Sequence, residues 1–189
     1  MLMGLLLLMA AAGLYGYNAW IDYRAGQQSD VAVSTLVEEI QKNEVTIVEV
    51  DDDQSDEARI KVAELDGAYY MGVLSIPSME KVLPIQSDWS EEKLKNTPCR
   101  YSGSIEEGEL VIAGHNYKSH FTGLAKLKTG ESLVFTDLEG NQSVYEVREV
   151  YMLDATDIEG MVHSGYDLSL FTCNYGGKAR VTVRCERLE

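Results

Sequence analysis

Leu168-Ser169-Leu170-Phe171-Thr172-Cys173 is followed, across Asn174-Tyr175-Gly176-Gly177 and Lys178, by Ala179-Arg180-Val181-Thr182-Val183-Arg184. Both outer runs are apolar and rich in β-formers, and the glycine pair between them reads as the turn joining two strands. Cys173 ends the first strand, and Arg180 begins the second seven residues later. Upstream, Leu110-Val111-Ile112-Ala113-Gly114-His115 is a further strand-like run, and it ends in a histidine. A cysteine, a histidine and an arginine at the rims of strands are what thiol acyl transfer requires. The thiolate attacks a carbonyl, the imidazole moves protons, and the guanidinium holds the developing oxyanion or the substrate backbone. A lone cysteine in a strand is usually a small buried hydrophobe. Only the three residues together point to that chemistry.

The same texture extends back to about Ala68. Tyr70-Met71-Gly72-Val73-Leu74-Ser75-Ile76 predicts a strand that Pro77 ends, and Val82-Leu83-Pro84-Ile85 predicts a short second one. Ser90-Glu91-Glu92-Lys93-Leu94 starts like a capped helical turn. Ser132-Leu133-Val134-Phe135-Thr136 and Ser143-Val144-Tyr145-Glu146-Val147 flank a hairpin turn at Asp137-Leu138-Glu139-Gly140-Asn141, and the chain stays extended to Leu153. Many short strands at fairly even spacing predict a mainly β fold, closed or nearly closed into a barrel. About 120 residues of this kind bury an independent core. The chain carries no internal repeat and no glycine-rich phosphate loop.

The N-terminal third has a different character. Met1 to Ile21 is almost wholly apolar and reaches the roughly 20 residues a helix needs to cross a bilayer. Tyr15, Tyr17 and Trp20 fall where an interfacial aromatic belt lies, and Arg24 follows. A cleaved signal peptide is the competing reading, because Ala10-Ala11-Ala12 resembles a cleavage site. The apolar run continues past that site, which favours an uncleaved anchor. No basic residue precedes the segment, so orientation has to come from function. Asp30 to Lys42 predicts an amphipathic helix through Val33, Leu36, Val37 and Ile40. Glu44 to Asp66 reads as an acidic stalk or linker. These patterns divide the chain into an anchor at 1–21, a helix and stalk at 22–66, and a β-barrel domain at 67–189.

A net charge of −15 over 189 residues excludes a general nucleic-acid role, which needs clustered lysine and arginine. Eight acids lie between Glu49 and Asp66 against Arg59 and Lys61. Asp51-Asp52-Asp53 reads as solvated linker, since the following glycine and distal glutamate of a calcium loop are missing. Three cysteines, Cys99, Cys173 and Cys185, are an odd number for an exported chain. A Cys99–Cys185 bridge would leave Cys173 as the reactive thiol; buried thiols at both positions are the simpler reading. A zinc site from His115, His120, Cys173 and Cys185 lacks the close ligand spacing such sites use, so no metal is assigned. His120 reads as a surface or helix-start residue, Trp89 as a packing anchor, and Arg184 and Arg187 as partners of the abundant acids.

From about Gly67 onward, roughly two-thirds of the chain resembles the sortases, membrane-anchored cysteine transpeptidases of Gram-positive bacteria. The match runs in the family's order. Tyr70 to Pro77 and Val82 to Ile85 look like the first two barrel strands. Cys99-Arg100-Tyr101-Ser102-Gly103-Ser104 and Val111-Ile112-Ala113-Gly114-His115-Asn116 look like the approach to the histidine and the histidine motif. Ser169-Leu170-Phe171-Thr172-Cys173 stands where the family has Thr-Leu-x-Thr-Cys, and Arg180-Val181-Thr182-Val183 looks like the arginine strand.

The resemblance implies a closed barrel of about eight strands with short helices, preceded by a transmembrane and an amphipathic helix. It implies Cys173 as nucleophile, His115 as general acid and then base, and Arg180 as the residue that positions substrate and stabilises the oxyanion. Pairing a thiol with an imidazole favours the thiolate–imidazolium form, and the two then titrate together. The implied reaction cleaves a Leu-Pro-x-Thr-Gly-like signal after Thr and passes the protein to a peptidoglycan precursor amine. Thr172, Ile158, Met161, Val162 and Tyr166 are the implied substrate-binding residues, the last four from the loop before the cysteine strand. The implied partners are surface proteins bearing the signal, the wall precursor and the membrane, with the catalytic domain extracellular. No cofactor is implied beyond calcium, for which Glu106, Glu107 and Glu109 are the candidates; a solvated acidic turn is the plainer reading. The cysteine-to-arginine turn is tight, and neither a lid nor a C-terminal membrane segment is evident, which favours wall anchoring over pilin polymerisation. A non-enzymatic anchored β-barrel that binds surface proteins or glycans is the remaining alternative.

Overall fold

The computed structural model describes residues 2–52, 59–106, 108–174 and 176–188. Asp53, Glu107 and Tyr175 fall outside the described residues. A single helix, α1 (Leu2–Lys42), leads into ten strands: β1 (Ile47–Asp51), β2 (Arg59–Leu65), β3 (Ala68–Ile76), β4 (Lys81–Gln86), β5 (Cys99–Ser104), β6 (Gly108–Ala113), β7 (Ser132–Asp137), β8 (Gln142–Asp154), β9 (Leu168–Cys173) and β10 (Ala179–Arg187). A short helix, α2 (Ile158–Val162), lies between β8 and β9. The strands are ordered β1-β2-β3-β4-β5-β6-β9-β10-β8-β7, and β7 pairs back onto β3. That pairing closes eight strands into a barrel and leaves β1 and β2 as an extension on β3.

Closure falls on Gly72, which pairs with Ile85 on one side and Asp137 on the other. A Cβ there would lie 2.4 Å from the Thr136 carbonyl oxygen, so only glycine lets β3 bend this close to β7. Inward residues of the barrel strands, among them Leu74, Ile76, Ile85, Leu110, Ile112, Phe135, Leu168, Leu170 and Val183, form one buried core. The β7–β8 turn is tied by Asp137, whose carboxylate accepts from the Glu139 and Asn141 amides at 2.9 and 2.8 Å.

Two expectations change. The transmembrane and amphipathic segments are one continuous helix. From Ala25 through Ser29 and Ala32 to Leu36 its buried residues follow a helical stripe laid against the barrel, while residues 3–20 are exposed on every side. About 20 residues at 1.5 Å per residue reach ~30 Å, the hydrocarbon thickness of a bilayer. This is the one helix among the described residues long and apolar enough to cross a membrane.

The stretch read as a stalk instead contains β1 and β2, with Val62 and Ala63 buried and Ala63 paired with Tyr70. Asp52 pairs with Arg100 of β5 through two oxygens, at 2.6 and 3.1 Å, and both side chains are nearly buried. Arg100 also donates to the carbonyls of Ser87 and Gly103 at 2.6 and 3.0 Å. A buried guanidinium needs such full satisfaction, since removing one partner leaves an uncompensated charge.

Candidate active site

The register of three neighbouring strands brings the site together. β6 runs parallel to β9 with Ala113 opposite Phe171, and the Gly114 amide donates to the Phe171 carbonyl at 3.0 Å. Two residues further along each chain, His115 and Cys173 leave the same end of the barrel. β10 runs antiparallel to β9 with Arg180 directly opposite Cys173. Strands in a sheet are about 4.8 Å apart, so the three side chains share one rim. Gly114 is what lets His115 turn in at that rim, because a Cβ at that position would meet the Phe121 ring at 2.4 Å.

Arg180 Nη1 lies 2.6 Å from Cys173 Sγ. Its guanidinium also sits 5.7 Å from the Phe171 ring centroid, a cation–π contact that fixes its direction. Cys173 is partly exposed, whereas Cys99 and Cys185 are buried, and all three thiols are free. Burial pushes the thiols of Cys99 and Cys185 up to about 12. Both being free thiols, Cys99 and Cys185 are not bridged to each other.

His115 is half-buried and stacks on Tyr117, with centroids 4.7 Å apart and planes inclined by 29°. Desolvation first, and then the positive charge of Lys95, holds its imidazole below the ordinary value, with Glu91 acting the other way. Near neutral pH the imidazole is thus mostly neutral, against the imidazolium form that pairing alone would favour.

His115, Cys173 and Arg180 line one cavity of about 350 Å³. Its wall includes Trp89, Leu94, Tyr101, Met161 and Phe171, with Glu91, Lys95, Asp154 and Asp157 at polar positions. Tyr101 bridges two edge-to-face contacts, to Trp89 at 5.7 Å and to Phe171 at 5.2 Å. An apolar pocket with a few converging polar groups is the usual form of a small-ligand or peptide site.

The Sortase family model (Sortase domain) matches residues 74–188. The chain belongs to the sortase family. It is 27% identical to Sortase A of Bacillus anthracis over 180 residues, which cover 91% of this chain and 85% of that one. A Clostridium perfringens Sortase D5 transpeptidase shares the fold with a TM-score of 0.64 at 18% identity, over 86% of this chain and 99% of that one. Sortase C1 of the group B Streptococcus pilus island 1 aligns with a TM-score of 0.56 at 22% identity, over 64% of each chain. The chain thus spans less than two-thirds of that sortase C1. Family membership implies a cysteine transpeptidase.

Of the residues expected to bind substrate in this sortase, Ile158 and Met161 line the cavity; Val162, Tyr166 and Thr172 are not in its wall. Thr172 alternates with Cys173 along β9, so its side chain turns into the barrel, where Oγ1 is buried with no hydrogen-bond partner. The sequence reading missed Trp89, Leu94, Tyr101 and Phe171. Trp89 is 42% exposed. A tryptophan beside a polar, capped turn was the available signal that it faces a ligand space and is more than a packing anchor.

Other expectations are corrected. Arg184 and Arg187 make no ion pair among the described residues. Arg184 is wholly buried and donates to the Met161 carbonyl at 3.1 Å, the Gly160 carbonyl at 2.5 Å, Ser169 Oγ at 2.5 Å and Tyr151 Oη at 3.1 Å. Arg187 donates to Ser143 Oγ. Of the four residues weighed and set aside as zinc ligands, His120 and Cys185 are buried, and no group of three or more His, Cys, Asp or Glu among the described residues is placed to hold a metal. Of the calcium candidates, Glu109 accepts from the Gly165 amide at 2.7 Å and Glu106 is exposed.

His120 is not on the surface. It is fully buried, with Nε2 donating to the Asn96 carbonyl at 3.1 Å and Nδ1 unpartnered. Burial drives its imidazole down to about 4. Between that value and the ordinary 6.5, the unfolded chain binds a proton that the folded chain refuses. Stability from this residue is present above pH 6.5 and is lost as pH falls toward 4, by about 3 kcal/mol in total. Urea titrations of the detergent-solubilised chain from pH 4 to 7 are expected to show that slope, and His120→Gln is expected to flatten it.

Proposed function

We propose that Cys173, His115 and Arg180 carry out the transpeptidation, cutting an exported protein after Thr in a Leu-Pro-x-Thr-Gly-like signal and joining it to a wall-precursor amine. The observation that carries this reading is the guanidinium of Arg180 on the sulfur of Cys173, level with His115 across β6, β9 and β10. The Cys173 thiolate attacks the Thr carbonyl carbon, and the carbonyl electron pair moves to oxygen. Arg180 offers N–H donors to that oxyanion. Collapse expels the glycine nitrogen, which takes a proton from the imidazolium of His115, and a thioester remains on Cys173. The acceptor amine then attacks the thioester, neutral His115 takes its proton, and the thiolate leaves. Burial that depresses the His115 titration makes its protonated form scarcer but a stronger acid toward the leaving amine.

The apolar wall from Leu94, Tyr101, Met161 and Phe171, with Ile158 on the α2 side, suits the leucine and proline of such a signal. Residues 1–21 serve as the membrane anchor, 22–66 tie it to the barrel, and 67–189 form the catalytic domain at the outer face of a Gram-positive membrane. The test uses the full chain in micelles, a Leu-Pro-x-Thr-Gly peptide, and either oligoglycine or a lysine-bearing pilin-type peptide as acceptor. Ligation to oligoglycine supports wall anchoring, and ligation to the lysine ε-amine alone assigns a pilin-polymerising role. No ligation to either contradicts the transfer reading and leaves a binding module.

A further inference from the structure

The helix that passes the bilayer boundary touches the loop that begins at His115. Asp22 is the first acidic residue after the apolar run of α1. One of its carboxylate oxygens accepts from the Ser119 amide at 3.1 Å and from the Ser119 hydroxyl at 2.8 Å, across 97 residues of sequence. One turn on, Gly26 lies so close to the same residue that a Cβ there would come 3.3 Å from Ser119 Cβ. Lys81 of β4 adds a second tie by donating to the Lys118 carbonyl at 2.5 Å.

The loop held in this way is compact and ends on the His115 ring. Its base is closed by the Phe121 amide donating to the His115 carbonyl at 3.1 Å, and the Tyr117 carbonyl accepts from the amides of His120 and Thr122, both at 3.0 Å. Tyr117 then stacks on His115 from one side and meets the His120 ring, 5.4 Å away, from the other. The charged and titratable groups facing Asp22 are Lys81, Tyr117 and His120. Those around His115 are Lys95, Glu91, His120 and the stacked Tyr117, with Cys173 and Arg180 across the same cavity.

We infer that Asp22 is a positioning residue for His115: the outer end of the anchor helix grips Ser119 and so sets the Tyr117 stack that orients the imidazole. The anchor is then part of the site's architecture as well as a tether. The kinetic arm of the test rests on the transfer reading above; the spectroscopic arm does not.

Full-length Asp22→Ala, Asp22→Asn and Ser119→Ala are compared with the parent in detergent micelles. The readouts are peptide-transfer kinetics, the pH profile of transfer and the NMR resonances of the His115 ring. Asp22→Ala is expected to lower kcat roughly ten- to hundredfold. KM should stay within about twofold, because the cavity wall is untouched. The pH profile shifts, and the His115 ring resonances move as the Tyr117 ring leaves its stacked position. Asp22→Asn keeps an oxygen acceptor for Ser119 and is expected to restore most of the rate. If Asp22→Ala unfolds, Ser119→Ala decides by the same readouts.

Unchanged kcat, pH profile and His115 resonances in a folded Asp22→Ala or Ser119→Ala chain overturn the inference. A fall confined to thermal stability overturns it too. If the parent itself transfers nothing, the catalytic reading fails, and the His115 resonances still decide the positioning role.

Discussion

Iodoacetamide at pH 8 is expected to modify Cys173 in the folded chain and to leave Cys99 and Cys185 unmodified, with all three reacting once urea is added. A thiol titrating at about 12 holds roughly one thiolate in ten thousand at pH 8, and both interior cysteines are also closed to the reagent. Cys173 stands at the open end of β9 with a guanidinium on its sulfur. Cys173→Ala is accordingly expected to lower transfer by ~10⁴-fold or more while the unfolding midpoint barely moves. Cys99→Ala and Cys185→Ala reverse the pattern: near-parental transfer, with about 1 kcal/mol lost to the cavity each leaves. Peptide mapping after alkylation reads all three positions together. Equal labelling of the three cysteines in the folded state would contradict the assignment.

Arg184→Met is expected to show the largest stability change of any single substitution considered. The native guanidinium, with no surface exposed, satisfies two carbonyls of α2 and the hydroxyls of Ser169 and Tyr151. Methionine fills similar space but strips the donor from the buried Met161 carbonyl and Ser169 hydroxyl, and from the part-buried Gly160 carbonyl and Tyr151 hydroxyl. Hydrogen bonds to a charged donor are worth about 1.5–3 kcal/mol each and are only partly additive, so a loss of about 3–4 kcal/mol is expected. For a chain of this size that lowers the melting temperature by roughly 8–12 °C. Met161, whose carbonyl Arg184 holds, is also part of the cavity wall, so KM for the signal peptide should rise more than kcat falls. Calorimetry and steady-state kinetics on the same preparation separate the two effects. An Arg184→Lys chain should recover little, because an ammonium cannot reach four acceptors spread over this arc.

Much of this was legible in the sequence, for identifiable reasons. Seven of the eight barrel strands carry apolar runs with sharp breaks at Pro77, Gly140 and the Gly176-Gly177 pair, so their existence and order could be read directly, whereas the polar, glycine-containing β5 (Cys99–Ser104) was not recognised as a strand. The rim positions of His115, Cys173 and Arg180 followed from those strand ends. The β1–β2 pair was hidden because no residue of β1 is fully buried and its acids resemble a solvated run; the ion pair of Asp52 with the remote Arg100 has no local signature. His120 and Arg184 look like surface residues by type, and no local pattern reports that a carbonyl across the fold satisfies them. Trp89 and Tyr101 reach the cavity from segments outside the expected specificity loop, a convergence that only tertiary folding creates. The grip of Asp22 on Ser119 spans the longest sequence separation of these contacts and leaves no trace in local composition.

The most direct test of the central claim is the intact mass of the full-length chain after brief incubation with a Leu-Pro-x-Thr-Gly peptide and no added amine. The expected result is a mass increase equal to the acyl fragment ending in Thr, localised to Cys173 and lost when an amine nucleophile is added. An unmodified mass with every such peptide, in a chain whose Cys173 also resists alkylation while folded, would contradict it.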